Sequence, residues 1–258
     1  MKLQYKQIYE KIKTGSVSLR RRFVLYVTSA IVTSVVLLLL LLSLFGVLNP
    51  VNSRIDAHLD DQLDNHVVQM ERDVDKLAAY SLSFSEQMEA VIEDYLTEHD
   101  LSFGDLTNDI DALTALQVKA FGTVYTNIRA PCSGAFYILN TTVNNTLDSP
   151  RYNGIYIKFA NLYAESTINT KVALFRGSSE IARNNDINLY STWQNEMQTD
   201  VFADMSVFAE NGYVLSSVTK IPDTWERARY IYSPIYGKDG QAIGICGFEM
   251  SDLYLQLS

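Results

Sequence analysis

No set of side chains in this sequence has the types and spacing of a catalytic centre, whereas one arginine and several tyrosines have those of a binding site. Catalysis needs a nucleophile beside a base, a metal cluster, or paired carboxylates in a cleft. The three histidines, His58, His66 and His99, fall in one helical stretch without a partner at metal-ligand spacing. No serine or cysteine sits in a G-x-S-x-G pattern, and no phosphate-binding glycine loop occurs. The chain is therefore expected to be no enzyme and to use neither cofactor nor metal. Arg176 closes a strand-like run, and its planar guanidinium can clamp a carboxylate through two parallel hydrogen bonds. It can equally pair with one of the chain's many acids. Sixteen tyrosines can wall a pocket with rings while their hydroxyls orient a polar solute. The candidate ligand-binding residues are Tyr137, Tyr156, Arg176, Trp193 and Tyr232. Trp193 and the nearby Tyr190 suit plain core positions as well, and strand parity decides which tyrosines face a pocket.

The elements that must position these residues lie mainly after residue 130. Ala135–Asn140, Gly154–Phe159 and Lys171–Phe175 read as strands, with turn residues at Asn144-Asn145 and Asp148-Ser149-Pro150. The two sequons at Asn140 and Asn144 fall among these turn residues and are read as such. Ser178-Ser179-Glu180 caps a short helix to Asn185, and Trp193 to about Asp204 carries a second, weaker helical pattern. Tyr213–Thr219, Ala228–Tyr236 and Ala242–Met250 complete the strands, the last two joined by Gly237-Lys238-Asp239-Gly240, the strongest hairpin signal in the chain. Gly244 and Gly247 permit close strand packing. Cys132 and Cys246 sit beside apolar strand-like sequence and are expected as buried free thiols rather than a disulfide.

Two helical stretches precede the strands. Val51 to about His99 lacks Gly and Pro, and Val67, Met70, Val74, Leu77, Ser81, Phe84, Met88, Val91 and Tyr95 recur at steps of three and four. Such a seam suits a dimeric stalk before Val67, and either a stalk or a cover for the domain core beyond it. A second pattern puts Ile110, Leu113, Leu116, Phe121, Val124 and Ile128 on one broad face and closes at Arg129-Ala130-Pro131. Two long helices followed by a hairpin-connected sheet predict an α+β domain with the helices on one side of an antiparallel sheet of about five to six strands.

Ahead of the stalk, Phe23 to Leu48 holds no charged residue, and about 26 residues at roughly 1.5 Å each span a hydrocarbon core of about 30 Å. The stretch is too long for a signal-peptide core and is followed by the poor cleavage sequence Val47-Leu48-Asn49-Pro50. Lys2, Lys6, Lys11, Lys13, Arg20, Arg21 and Arg22 precede it against the single acid Glu10, which predicts a cytoplasmic N-terminus. Beyond the span lie 14 basic and 29 acidic residues, a net of −15. A portion so acidic is repelled by nucleic acid and anionic headgroups, so nucleic acid is excluded as its partner.

The segment Tyr232 to Met250, with Pro234-Ile235, Asp239-Gly240 and the apolar-Gly-apolar step Ile243-Gly244-Ile245, resembles the closing hairpin of bacterial Cache sensor domains, the extracytoplasmic relatives of PAS domains. Ser133–Asn140, Gly154–Lys158, and Leu174–Arg183 through Trp193 look similar to a Cache-containing group of Firmicute sensors. That resemblance implies a PAS-like sheet cradling a small ligand under loops and helices, with the signal leaving along terminal helices. Double-Cache amino-acid sensors carry a compact Arg-x-Trp-Tyr element, which Arg176 and Trp193 are too far apart to reproduce.

The expected layout is a basic tail 1–22, a transmembrane helix 23–48, a stalk helix 49–100 and a Cache-like domain 101–258. The function expected is the input region of a transmembrane signalling protein that senses a small extracellular solute as a homodimer through its stalk. No second span or output module follows Leu253-Tyr254-Leu255-Gln256-Leu257-Ser258, so the sequence is expected to be a fragment. The rival is a ligand-free, membrane-anchored adaptor whose filled PAS-like fold docks another envelope protein.

Overall fold

The computed structural model describes residues 19–44, 49–128, 132–146, 151–160, 172–221 and 223–252. The basic tail up to Ser18, the helix-closing Arg129-Ala130-Pro131, the turn Asp148-Ser149-Pro150, Lys171 and the terminal Leu253–Ser258 lie outside them. The chain divides into two units, Met1–Val68 and Gln69–Ser258.

The first unit contains α1, Leu19–Leu44, and the start of the 50-residue α2, Asn49–Glu98. Within α1 the 24 residues Arg20–Ser43 include an 18-residue window with a mean hydropathy of 2.5, so the helix is long and apolar enough to cross a membrane. The last four residues of the expected span, Phe45 to Leu48, fall outside the described residues. Leu59, Leu63, Val67 and Met70 of α2 are exposed.

In the second unit the character of α2 changes. From Leu77 onward the three-and-four spacing becomes a buried stripe, with Leu77, Ala78, Ser81, Phe84, Ser85, Met88, Ile92 and Tyr95 all packed inside. The distal half of the expected stalk is therefore core helix. It stops where Asp100 turns left-handed (φ 53°) and the Leu101 amide donates to the Leu96 carbonyl. A short 3-10 turn, Phe103–Leu106, leads to α3, Ile110–Asn127, whose first amides, Asp111 and Ala112, donate to the Asp109 carboxylate. Leu113, Leu116, Ala120 and Val124 form its buried stripe.

Among the described residues eight strands make one sheet: β1 Gly134–Leu139, β2 Gly154–Phe159, β3 Val172–Arg176, β4 Asn188–Gln194, β5 Val214–Leu215, β6 Thr219–Lys220, β7 Arg227–Tyr236 and β8 Ala242–Ser251. Their order is β4-β3-β2-β1-β8-β7-β5, with β6 also on β7. The α+β class is as read, but the sheet is mixed and not purely antiparallel. The β3–β4 pair is parallel, joined by α4, Ser179–Asn184, because parallel neighbours need a crossover rather than a hairpin. Ser178 caps α4 as expected, accepting from the Glu180 amide. The expected strand Tyr213–Thr219 is reduced to two two-residue pieces.

The helical reading of Trp193–Asp204 is corrected. Trp193 and Gln194 end β4 instead, Met197 bridges to Tyr152, and only 3-10 turns follow at Val201–Ala203 and Met205–Phe208. Tertiary pairing is the reason: Gln194 is in register with Arg176 of β3 and Met197 with Tyr152, which takes the backbone of this segment into strand bonds rather than helical ones.

The pleat divides the sheet residues cleanly. Ala135, Tyr137, Leu139, Ile155, Ile157, Leu174, Cys246 and Phe248 meet α2 and α3 in the larger core. Phe136, Ile138, Tyr156, Phe175 and Ile245 point the other way, into a smaller cluster closed by Met197, Phe208 and Ile221. Both cysteines are free and buried. At Gly247, between Phe136 and Tyr232 in register, a Cβ would collide with the Ile231 carbonyl oxygen, so only glycine allows these strands their spacing.

Candidate ligand cavity

The face of the sheet away from the helices carries a cavity of about 610 Å³. Its floor is a group of aromatic rings in contact. Tyr156 and Phe175 meet edge-on at 5.0 Å between centroids, and Phe136 lies 5.5 Å from Tyr156 and 5.8 Å from Tyr230. Tyr232, Ile138 and Ile245 extend this apolar surface. Gln194, Asp223, Lys220 and Arg151 supply polar groups from the loops and strand ends around it.

Arg176 reaches the cavity through an irregularity in β3. Ile157 pairs with Leu174 but Tyr156 pairs with Arg176, so two positions of β3 advance against one of β2. The extra residue, Phe175, is a bulge, and it allows Phe175 and Arg176 both to line the cavity although they are sequence neighbours. The guanidinium stacks on the Phe175 ring, 3.8 Å from its centroid. Nη1 donates to the carbonyls of Phe175 and Thr192, both at 2.8 Å, and Nη2 donates to Asp223 Oδ2 at 3.1 Å. Asp223 also accepts from Gln194 Nε2 at 3.0 Å. Burial lowers the Arg176 pKa and the neighbouring Asp223 charge opposes that shift.

Tyr156 is buried, and its hydroxyl has no hydrogen-bond partner among the described residues. Tyr230 and Tyr232, both raised in pKa by burial, stay protonated donors at neutral pH.

Of the five residues expected at a site, the structure brings together Tyr156, Arg176 and Tyr232. Tyr137 does not join them: its odd parity in β1 sends it into the helix-side core, fully buried. Trp193 packs against that same core, with its indole nitrogen donating to the Gly177 carbonyl at 2.9 Å. Gly177 holds φ at +123° and a Cβ there would sit 3.1 Å from the Gly154 carbonyl oxygen. Gly177→Ala is expected to destabilise the domain by about 1–3 kcal/mol in urea unfolding; an unchanged midpoint would show that a side chain is accommodated there without strain.

A second set of residues escaped sequence reading. Lys158 of β2 is buried and its ammonium lies 2.8 Å from Glu226 Oε2 and 3.2 Å from Glu249 Oε1. Glu249 is fully buried, accepts from the Ser133 hydroxyl at 2.8 Å, and is pushed up to about 8 by desolvation. Tyr190 donates to Glu226 at 3.2 Å. The signal was present in the parity: Lys158 and Glu249 are single charges inside apolar strands, both on the cavity face. Among the described residues no cluster of three metal-binding side chains occurs.

No protein-family model matches the sequence, and no curated protein matches it. Among the solved structures similar in fold are two sensory proteins. One is the periplasmic sensory domain of the Campylobacter jejuni chemoreceptor Tlp1, with 15% identity, TM-score 0.42, and coverage of 75% of this chain and 59% of that one. The other is a methyl-accepting chemotaxis protein X, with 13% identity, TM-score 0.40, and coverage of 78% of this chain and 65% of that one. The chain thus spans less than two thirds of either.

Proposed function

We propose that this chain is the extracytoplasmic, small-molecule-sensing input region of a transmembrane signal-transduction protein, anchored by α1 with its N-terminus in the cytoplasm. The observation that carries the reading is the cavity itself: aromatic rings form its floor and a buried guanidinium lies at its wall. A filled adaptor fold would have no such space. The solute that fits is a small molecule with an apolar body and a carboxylate for Arg176, within reach of Tyr156, its direct cross-strand neighbour. No catalytic role is proposed. Leu59, Leu63, Val67 and Met70, exposed at three- and four-residue steps along α2, are the proposed homodimer seam.

A thermal-shift screen of the detergent-solubilised chain tests the binding step, because a solute that binds only the folded state raises the melting temperature. Carboxylates are expected to raise it, and Arg176→Gln to cancel the rise. Silence across carboxylates, amino acids, sugars and purines, with the variant indistinguishable from the parent, would return the fold to the adaptor reading.

A further inference from the structure

We infer that Asp223 is an internal competitor of the ligand: its carboxylate occupies the Arg176 guanidinium in the free protein, and an anionic solute must displace it. The inference rests on the proposal that the cavity binds a carboxylate.

Asp223 lies at the cavity and is one of the residues that line it. Its side chain is 52% exposed, although its partner Arg176 is buried. A buried guanidinium needs a counter-charge, and Asp223 is the carboxylate that reaches it. Two of the arginine's contacts go to backbone carbonyls, Phe175 and Thr192, and fix the guanidinium plane against the Phe175 ring. Those contacts belong to the frame. The Asp223 contact comes instead from the connection between β6 and β7, and a carboxylate arriving in the cavity offers the same chemistry to the same Nη2.

The backbone at Asp223 points the same way. It holds φ at +59°, which a non-glycine residue adopts at a cost and keeps only where its surroundings compensate. The Asp223 side-chain bonds to Arg176 and Gln194 are that compensation. A ligand carboxylate that takes over the Arg176 contact replaces one charge-assisted hydrogen bond by another, so the exchange is close to balanced in charge and in hydrogen bonds.

The exchange has a consequence on the same connection. Three residues further on, Glu226 holds Lys158, which in turn contacts Glu249 in β8. Asp223 and Glu226 are therefore two adjacent attachments of one connection to two buried cations on β3 and β2. A ligand that replaces the Arg176–Asp223 contact leaves the connection held on this side by the Gln194–Asp223 bond and the Glu226 attachment.

The test uses the full chain in detergent with two- to eight-carbon monocarboxylates, among them propionate and benzoate, each against its neutral amide. Calorimetric titration compares the parent with Asp223→Asn and Arg176→Gln. Removal of the competitor in Asp223→Asn is expected to tighten carboxylate binding about five-fold, the scale of an ion pair with one half-exposed partner worth about 1 kcal/mol, and to leave amide binding unchanged. Arg176→Gln is expected to lose carboxylate binding. Hydrogen exchange supplies a reading that needs no ligand: the amides of Thr224 and Glu226, bonded to the Ile221 carbonyl and the Thr224 hydroxyl, exchange faster in Asp223→Asn. Carboxylate binding that is unaltered or weakened in Asp223→Asn overturns the competitor while leaving the ligand reading intact. Absence of carboxylate binding in parent and Asp223→Asn alike overturns both.

Discussion

Phe84→Ala is expected to lower the stability of the domain by about 3–5 kcal/mol, the usual cost of deleting a fully buried phenylalanine from a packed core. Phe84 has no exposed surface and packs on Phe248 of β8, ring to ring at 5.7 Å. Around it the hydroxyls of Ser81 and Ser233 bond at 2.7 Å, and the Ser85 hydroxyl donates to the Pro234 carbonyl, so α2 is tied to β7 and β8 by polar as well as apolar contacts. Leu63→Ala, at a position 63% exposed on the same helix, is expected to leave the unfolding midpoint within about 0.5 kcal/mol while weakening self-association. Urea unfolding followed by tryptophan fluorescence, with sedimentation of each variant, separates the two roles. A loss below about 1 kcal/mol for Phe84→Ala would mean that the distal helix is not part of the core.

This division of α2 shows what sequence can and cannot give. The steps of three and four from Val67 to Tyr95 were legible, because a helix presents one face at that spacing whatever covers it. What covers it was not legible: Met70 faces out and Leu77 faces in on the same periodic pattern. The strands β1, β2, β3, β7 and β8 were readable from apolar runs and from the Asp239-Gly240 turn, where Gly240 has φ of +75°. β4 was not, since its residues are mostly exposed and its pairing with β3 depends on a crossover. At the site, parity was the missing quantity. Tyr137 and Tyr156 are alike in composition and flanks, yet the pleat sends one to the helices and the other to the cavity. Arg176 faces the cavity because of a bulge, and Asp223 meets it from 47 residues away, a tertiary contact that no local pattern encodes.

Glu249 is the second place where a large effect is expected, and here the variable is pH. Its carboxyl is pushed up to about 8 from an ordinary value near 4.5, chiefly because burial penalises the charged form, with the Ser133 hydrogen bond opposing. Lys158 lies 3.2 Å away but does not reverse this. One ammonium faces two carboxylates, and it lies closer to the partly exposed Glu226, at 2.8 Å, than to the fully buried Glu249. Cys132, also near Glu249, is itself raised by burial and stays a neutral thiol. A folded-state pKa above the unfolded one means that the folded protein binds the extra proton. The stability so contributed is complete below about pH 4.5 and is lost as pH rises through about 8. Between those limits the unfolding free energy should fall by a few kcal/mol, since each tenfold difference in proton affinity between the folded and unfolded chain is worth about 1.4 kcal/mol. Glu249→Gln keeps an acceptor for Ser133 and removes the titration. Its unfolding midpoint is expected to be nearly level from pH 5 to 9 and to exceed that of the parent at pH 9. Parallel pH profiles for the two proteins would show that Glu249 is ionised in the fold, and that Lys158 rather than a proton neutralises it.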